Sequence, residues 1–202
     1  MPSACIGRRQ VAAVILLEAR IEGMAEALVI VDFQNDFTPG GALAVPEGDA
    51  IAARLNELAA DPRFDLVVAT RDWHPPDHGS FAERGGPWPV HCVQDTDGAQ
   101  LHPALETARI HTIVDKGQDP DTEGYSGFEA TNLAELLRER GIDRVTVVGL
   151  ATDYCVKNTA LDALREGLDV EVDSSAVRGV DVEPGDSERA LDELRAAGAT
   201  VT

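Results

Sequence analysis

Arg144-Val145-Thr146-Val147-Val148-Gly149-Leu150 runs directly into Ala151-Thr152-Asp153-Tyr154-Cys155. The first seven residues form a mainly apolar, β-branched run of strand length, and the five that follow open a stretch with helical periodicity. A strand without polar alternation is buried on both faces, the condition of a strand inside a parallel sheet covered by helices. Cys155 therefore falls where a helix begins just beyond a strand. There the positive end of the helix favours thiolate and lowers the cysteine pKa, and the first free amides surround the sulfur, ready to hold a developing oxyanion.

Outward from this junction the same grammar repeats. Strands are predicted at 27–31, 66–70, 110–114, 144–150, 169–173 and 200–202, and helices at 49–60, 132–140, 153–166 and 186–197. Gly141, Gly167 and Gly198 follow the last three helices, as C-terminal caps do. The alternation predicts an α/β protein: a three-layer α/β/α, doubly wound, mainly parallel six-stranded sheet with right-handed crossovers. Residues 24–202 read as a single domain. Residues 1–23 break the pattern: Arg8-Arg9 precedes an apolar run at 11–17 that ends at Glu18 with no small-residue cleavage site. That run is too short to span a membrane and does not complete an export signal. It reads as an N-terminal extension without a functional role.

Composition narrows the partners. Asp plus Glu outnumber Lys plus Arg by 36 to 17, and the formal net charge of -19 repels nucleic acid and anionic membranes. An acid-rich surface with only two lysines, Lys116 and Lys157, fits a salt-rich cytoplasm in which self-repulsion is screened. Cys5, Cys92 and Cys155 are an odd set with no framework spacing, so the chain reads as reduced and cytoplasmic. Helix faces leave self-association open, and the number of subunits is not legible.

Three predicted strands deliver chemistry at their carboxyl ends. The run 27–31 ends at Asp32, 110–114 ends two residues before Lys116, and 144–150 leads to Cys155. In a parallel sheet these ends share one rim, where ligands bind. Two long irregular stretches, 71–103 and 117–130, are expected to build the site. The first carries Asp72-Trp73-His74, His78 and His91, so three of the five histidines fall in one eighteen-residue window. A carboxylate and imidazoles in that arrangement suit a divalent ion such as zinc, manganese or iron. Phe37, Trp88 and Tyr125 lie in or beside the same loops and offer either core packing or a slot for a flat ring. Each side chain also has a plainer use: a lone cysteine as a small buried hydrophobe, an aspartate or threonine as a cap, a lysine as a solvated charge.

Taken in order, Val31-Asp32-Phe33-Gln34-Asn35-Asp36-Phe37, Thr70-Arg71-Asp72-Trp73-His74, Trp88-Pro89-Val90-His91-Cys92, Lys116-Gly117, Tyr125-Ser126-Gly127-Phe128 and Gly149 through Cys155 resemble the motifs of the nicotinamidases, a branch of the isochorismatase-like cysteine hydrolases. The resemblance runs from Ala27 to the C-terminus. It implies a triad of Asp32, Lys116 and Cys155, a cis peptide between Leu150 and Ala151, and an oxyanion hole from the Ala151 and Cys155 amides. It also implies a divalent metal on Asp72, His74 and His91, with His78 as a fourth or water-mediated ligand. The substrate would be nicotinamide, hydrolysed to nicotinate and ammonia by way of a thioester in NAD salvage. Its ring nitrogen would meet the metal between Phe37 and Trp88, with Tyr125 nearby. Tyr154 departs from the pattern, standing where some relatives have histidine. Two siblings are alternatives: an amidase of carbamoyl or ureido compounds, which has no use for a metal loop, and isochorismatase, which need not use the cysteine. A catalytically dead binding module would leave Cys155 without nicotinamide-protected reactivity.

Overall fold

The computed structural model describes residues 24–202, and the expectation for residues 1–23 lies outside them. Six parallel strands form one sheet: β1 (Ala25–Val31), β2 (Leu66–Asp72), β3 (Thr112–Lys116), β4 (Ile142–Leu150), β5 (Asp169–Arg178) and β6 (Thr200–Val201). Their order is β3-β2-β1-β4-β5-β6. Among the described residues four α-helices accompany them: α1 (Ala52–Ala59), α2 (Leu133–Glu139), α3 (Lys157–Arg165) and α4 (Asp186–Ala197). Among the described residues no helix is long and apolar enough to cross a membrane.

The apolar strands sort themselves into three layers through the two-residue alternation of side chains. Ala27, Val29 and Val31 of β1 face one core with Val68, Val145 and Val147, covered by Leu133 and Leu137 of α2, Ala160 and Ala163 of α3 and Leu194 of α4. Leu28 and Ile30 face the other, with Val67, Ala69 and Val148, covered by Leu55 and Leu58 of α1. Each fully buried aliphatic side chain contributes about 1.5–3 kcal/mol of transfer free energy, so neither strand face tolerates a register slip.

After β1 the chain winds outward through β2 and β3, then returns to the other side of β1 to lay down β4. The reversal leaves a crevice at the carboxyl ends of β1 and β4, the place where doubly wound sheets bind ligands. Asp32 leaves β1 there, and Cys155 follows β4. Gly149 makes the two strands' close approach possible: it has φ +113, and a Cβ would sit 2.1 Å from the Val31 carbonyl oxygen.

Three of the differences from the sequence expectation bear on the site. β3 begins at Thr112, so Ile110 and His111 precede it and Lys116 is its last residue. β5 continues to Arg178, its register against β4 shifting between Val147 and Gly149. The helix expected from residue 153 opens as a π-turn over Thr152–Val156 before α3 begins.

Candidate active site

Asp32 takes a left-handed backbone, φ 48, as the chain leaves β1. Its N–H donates to the Thr70 carbonyl at 3.2 Å, and its Oδ1 accepts from the Thr70 hydroxyl at 2.7 Å. The other oxygen, Oδ2, lies 2.8 Å from Lys116 Nζ. Yet the aligned hydrogen bonds of that ammonium go to Asp72 Oδ1, to the Gly124 carbonyl and, at 3.5 Å, to Cys155 Sγ. Asp32 Oδ2 is thus ion-paired but has no aligned donor, which leaves a lone pair free. The sulfur of Cys155 lies within 4.8 Å of carboxylate oxygens of both Asp32 and Asp72. All four side chains are buried.

Burial disfavours each charge, and the neighbours decide the outcome. Burial outweighs Lys116 at Asp32 and holds its carboxyl up at about 6. Asp72 is buried too, but Lys116 keeps it well below the usual carboxylate range. Lys116 loses solvation and is nevertheless pushed well above its ordinary value by Asp32 and Asp72. Cys155 corrects the sequence expectation. Burial, together with Asp32 and Asp72, drives the thiol well above its ordinary value against the pull of Lys116, so the resting group is a thiol and not a thiolate.

The π-turn explains how that sulfur is presented. The Ala151 carbonyl accepts from the N–H groups of Tyr154 at 3.1 Å and Val156 at 3.0 Å, so the bond that Cys155 N–H would make in an α-turn is missing. The Leu150–Ala151 peptide is cis, and the Ala151 N–H forms no hydrogen bond among the described residues. Asp153 accepts the N–H groups of Val180 at 3.0 Å and Asp181 at 2.8 Å, which pins the loop after β5 to the nucleophile turn.

Asp72 ends β2, and a short parallel bridge between His74 and Val93 brings the next loop alongside it. One ligand atom from each of Asp72, His74 and His91 lies within 4.8 Å of the others. His74 Nδ1 donates to the Gly117 carbonyl at 2.8 Å and His91 Nδ1 to the Pro89 carbonyl at 2.7 Å. A carbonyl only accepts, so the Nδ1 atoms carry hydrogens, and in the neutral form of each ring Nε2 presents a lone pair. Gly117, φ +63, is needed for this: a Cβ there would lie 2.5 Å from His74 Cε1. His74 Nε2 faces Asp72 Oδ2 at 3.4 Å. With the ring neutral these are two acceptors, which a cation between them would reconcile, and ligand atoms about 2.1 Å from a tetrahedral ion are about 3.4 Å apart. The donor set fits a divalent metal.

His78 is not brought into that trio. Its ring stacks on His74, centroids 4.0 Å apart and tilted by 32°. Its Nδ1 accepts the Ser80 N–H at 3.3 Å and lies 2.8 Å from the Ser80 hydroxyl. Burial lowers its pKa to about 4, so the ring is neutral, and with Nδ1 accepting from Ser80 the hydrogen sits on Nε2. That atom is buried without a hydrogen-bonded partner among the described residues. In this tautomer it presents a donor, which suits the water-mediated role and not direct ligation.

Above these groups lies a small cavity of about 30 Å³, lined by Phe37, Asp72, Trp88, His91, Tyr125, Ala151, Tyr154 and Cys155. Trp88 Nε1 donates to the Tyr125 hydroxyl at 2.9 Å, and Tyr154 meets the Trp88 ring edge-on at 4.9 Å. Leu43 and Val180 complete the wall. They were invisible in the sequence because they come from distant loops. Thr70, the partner of Asp32, was missed too, although it stands in a quoted motif.

A family model for the isochorismatase domain matches residues 26–202. The chain belongs to the isochorismatase family, hydrolases on a doubly wound sheet. Within it, the chain is 46% identical over 198 residues to the nicotinamidase of Escherichia coli (strain K12), covering 87% of this chain and 93% of that one. The pyrazinamidase of Pyrococcus horikoshii, solved in complex with zinc, superposes with a TM-score of 0.81 at 50% identity, covering 88% of this chain and 98% of that one. A protein of L. infantum solved in complex with nicotinate superposes with a TM-score of 0.84 at 39% identity, covering 89% and 92%.

Proposed function

We propose that this chain is an enzyme that hydrolyses nicotinamide to nicotinate and ammonia through a thioester on Cys155, a step of NAD salvage. The observation that carries this reading is the clustering of Asp32, Lys116 and Cys155 beside Asp72, His74 and His91, with Asp72, His91 and Cys155 lining a cavity walled by aromatic rings. The relatives named above act on, or were solved with, molecules of this pyridine and pyrazine class. One domain, residues 24–202, carries all of it.

The chemistry starts from the protonated thiol. Asp32 Oδ2, held as a carboxylate by Lys116 and free of an aligned donor, takes the proton as sulfur bonds to the amide carbon. The oxyanion that forms is met by the Ala151 and Cys155 N–H groups. Asp32 returns the proton to nitrogen, the C–N bond breaks, and ammonia leaves. Asp32 then takes a proton from water as hydroxide adds to the thioester, and as the C–S bond breaks Asp32 passes that proton to sulfur, restoring the thiol, while the nicotinic acid loses its proton to solvent and leaves as nicotinate. Lys116 stays cationic throughout and balances the charge that moves between oxygen and sulfur.

Asp72, His74 and His91 hold one divalent ion, zinc, manganese or iron, with His78 as a neighbouring donor rather than a direct ligand. Such an ion supplies a Lewis-acidic anchor for the pyridine nitrogen. Phe37 and Trp88 flank the ring, and the Tyr125 hydroxyl fixes the Trp88 indole. Alignment of carbonyl and sulfur then makes attack nearly unimolecular.

Ammonia release from nicotinamide tests the reading directly. The purified chain should release ammonia, and Cys155→Ala should lose at least about a thousandfold in kcat while remaining folded. Substantial turnover by that variant would overturn the covalent route. Turnover of a carbamoyl compound in preference to nicotinamide would move the chain to the sibling amidases.

A further inference from the structure

The loop that follows Asp32 contains two buried or half-buried polar side chains that the chemistry above does not use. Gln34 is 0% exposed, and its side-chain amide has three partners. Oε1 accepts the Asp72 N–H at 2.8 Å, while Nε2 donates to the Asp72 carbonyl at 2.9 Å and to the Ala99 carbonyl at 2.8 Å. The reason lies in the sheet. β1 ends at Val31 and turns away at Asp32, so β2, which runs on to Asp72, loses its neighbour on that side. The Asp72 N–H and C=O would be left unpaired in a buried position, at a cost comparable to a lost hydrogen bond each. The Gln34 amide supplies both partners, a one-residue continuation of the missing strand.

Two positions later, Asp36 repeats the device on the other metal-bearing loop. Its Oδ2 accepts the Cys92 N–H at 2.7 Å, directly after His91, and its Oδ1 accepts the Ala42 N–H at 3.2 Å. Gly98 leaves room for this carboxylate: a Cβ there would lie 2.2 Å from Asp36 Oδ2. Asp36 N–H in turn donates to the Gly98 carbonyl at 3.0 Å.

We propose that Gln34 and Asp36 are positioning residues for the metal site: through the backbones of Asp72 and Cys92 they set the spacing of the carboxylate and imidazole ligands, and through Asp72 they tie that spacing to Lys116 and the triad. The inference rests on the metal site proposed above. Asp72 is the hinge of the argument, because one oxygen faces His74 and the other accepts from Lys116. A shift of its main chain therefore moves both sites together.

The test is zinc affinity, measured on the full chain by competition with a chromophoric chelator, alongside steady-state kinetics on nicotinamide. Gln34→Glu keeps the shape but sets a carboxylate oxygen against two carbonyl oxygens. It should weaken zinc binding at least about tenfold, as loss of an outer partner of a metal ligand does. It should also raise KM and lower kcat together. Acidification should partly restore zinc binding relative to the parent, since the introduced carboxyl, once protonated, regains one donor. Asp36→Asn, which keeps the size but removes the paired acceptor, carries the same test if Gln34→Glu does not fold. Folded variants that bind zinc within about twofold of the parent overturn the positioning role, even where their melting temperatures fall. A parent chain that binds no zinc, manganese or iron overturns the metal site itself, and this inference with it.

Discussion

Lys116 is the single cation between two buried carboxylates, which makes Lys116→Met the most demanding perturbation of the site. Nζ is 0% exposed, 2.8 Å from Asp32 Oδ2 and bonded to Asp72 Oδ1. At an effective dielectric of about 20, a pair of unit charges about 3 Å apart attracts by roughly 5–6 kcal/mol, much of which offsets desolvation. Removing one member of a buried pair nets a loss of about 3–5 kcal/mol, because the remaining charge keeps its burial cost. For a domain of this size that corresponds to a fall in Tm of roughly 6–20 °C. The pH dependence has a definite sign. Without the lysine, both carboxyls have folded-state pKa values raised above their unfolded ones by burial and mutual repulsion. Protonation then favours the folded state, so the deficit is fully present above the raised values and shrinks as pH falls. Thermal unfolding by circular dichroism at pH 7 and pH 5 measures this, with Lys116→Met/Asp32→Asn as the closing corner of a double-mutant cycle. The double variant should be more stable than Lys116→Met alone, since it removes one of two uncompensated anions. A Tm loss below about 3 °C at pH 7, or a deficit that grows on acidification, would refute the electrostatic account.

Asp32 must be ionised to accept the thiol proton, and burial, against Lys116, places its pKa at about 6. The kcat/KM profile should therefore lose activity as pH falls through about 6; an acid limb centred near 4 would mean that another group, or a differently solvated Asp32, is the base. His91→Ala should deplete bound metal and weaken nicotinamide binding, whereas His78→Ala, which removes a neutral ring with its hydrogen on Nε2, should retain one metal per chain by elemental analysis. Equal depletion in both would make His78 a direct ligand. With a net charge of -19, the melting temperature should rise between low salt and molar salt as surface repulsion is screened, and a flat or falling dependence would remove the salt-rich setting.

Much of this architecture is local information. Uninterrupted apolar runs such as Leu28-Val29-Ile30-Val31, the helical spacing of Leu133 and Leu137, and Gly149 before the nucleophile turn specify a parallel sheet with helices on both sides, because periodicity and backbone freedom are properties of neighbours in sequence. From that pattern alone Asp32, Lys116 and Cys155 were expected on one rim, and their side chains lie within reach of one another there, beside Asp72 of the Asp-x-His pair. What escaped the sequence depends on contacts between distant residues. Lys116 sits inside β3 and not beyond it, because its pairing with Asp72 extends the strand. Cys155 is a high-pKa thiol, contrary to its position after a strand, because burial and two aspartates far earlier in the chain, Asp32 and Asp72, outweigh Lys116 and the turn it sits on. His78 turns its hydrogen-bearing nitrogen inward because Ser80 occupies the other one. Gln34 has meaning only once β1 is seen to end short of Asp72. The amino-acid order alone determined which strands form and which chemical groups leave their ends. Desolvation, tautomers and the spacing of the carboxylate and imidazole groups were decided by tertiary structure, since each depends on what the fold packs against a side chain and not on what precedes it.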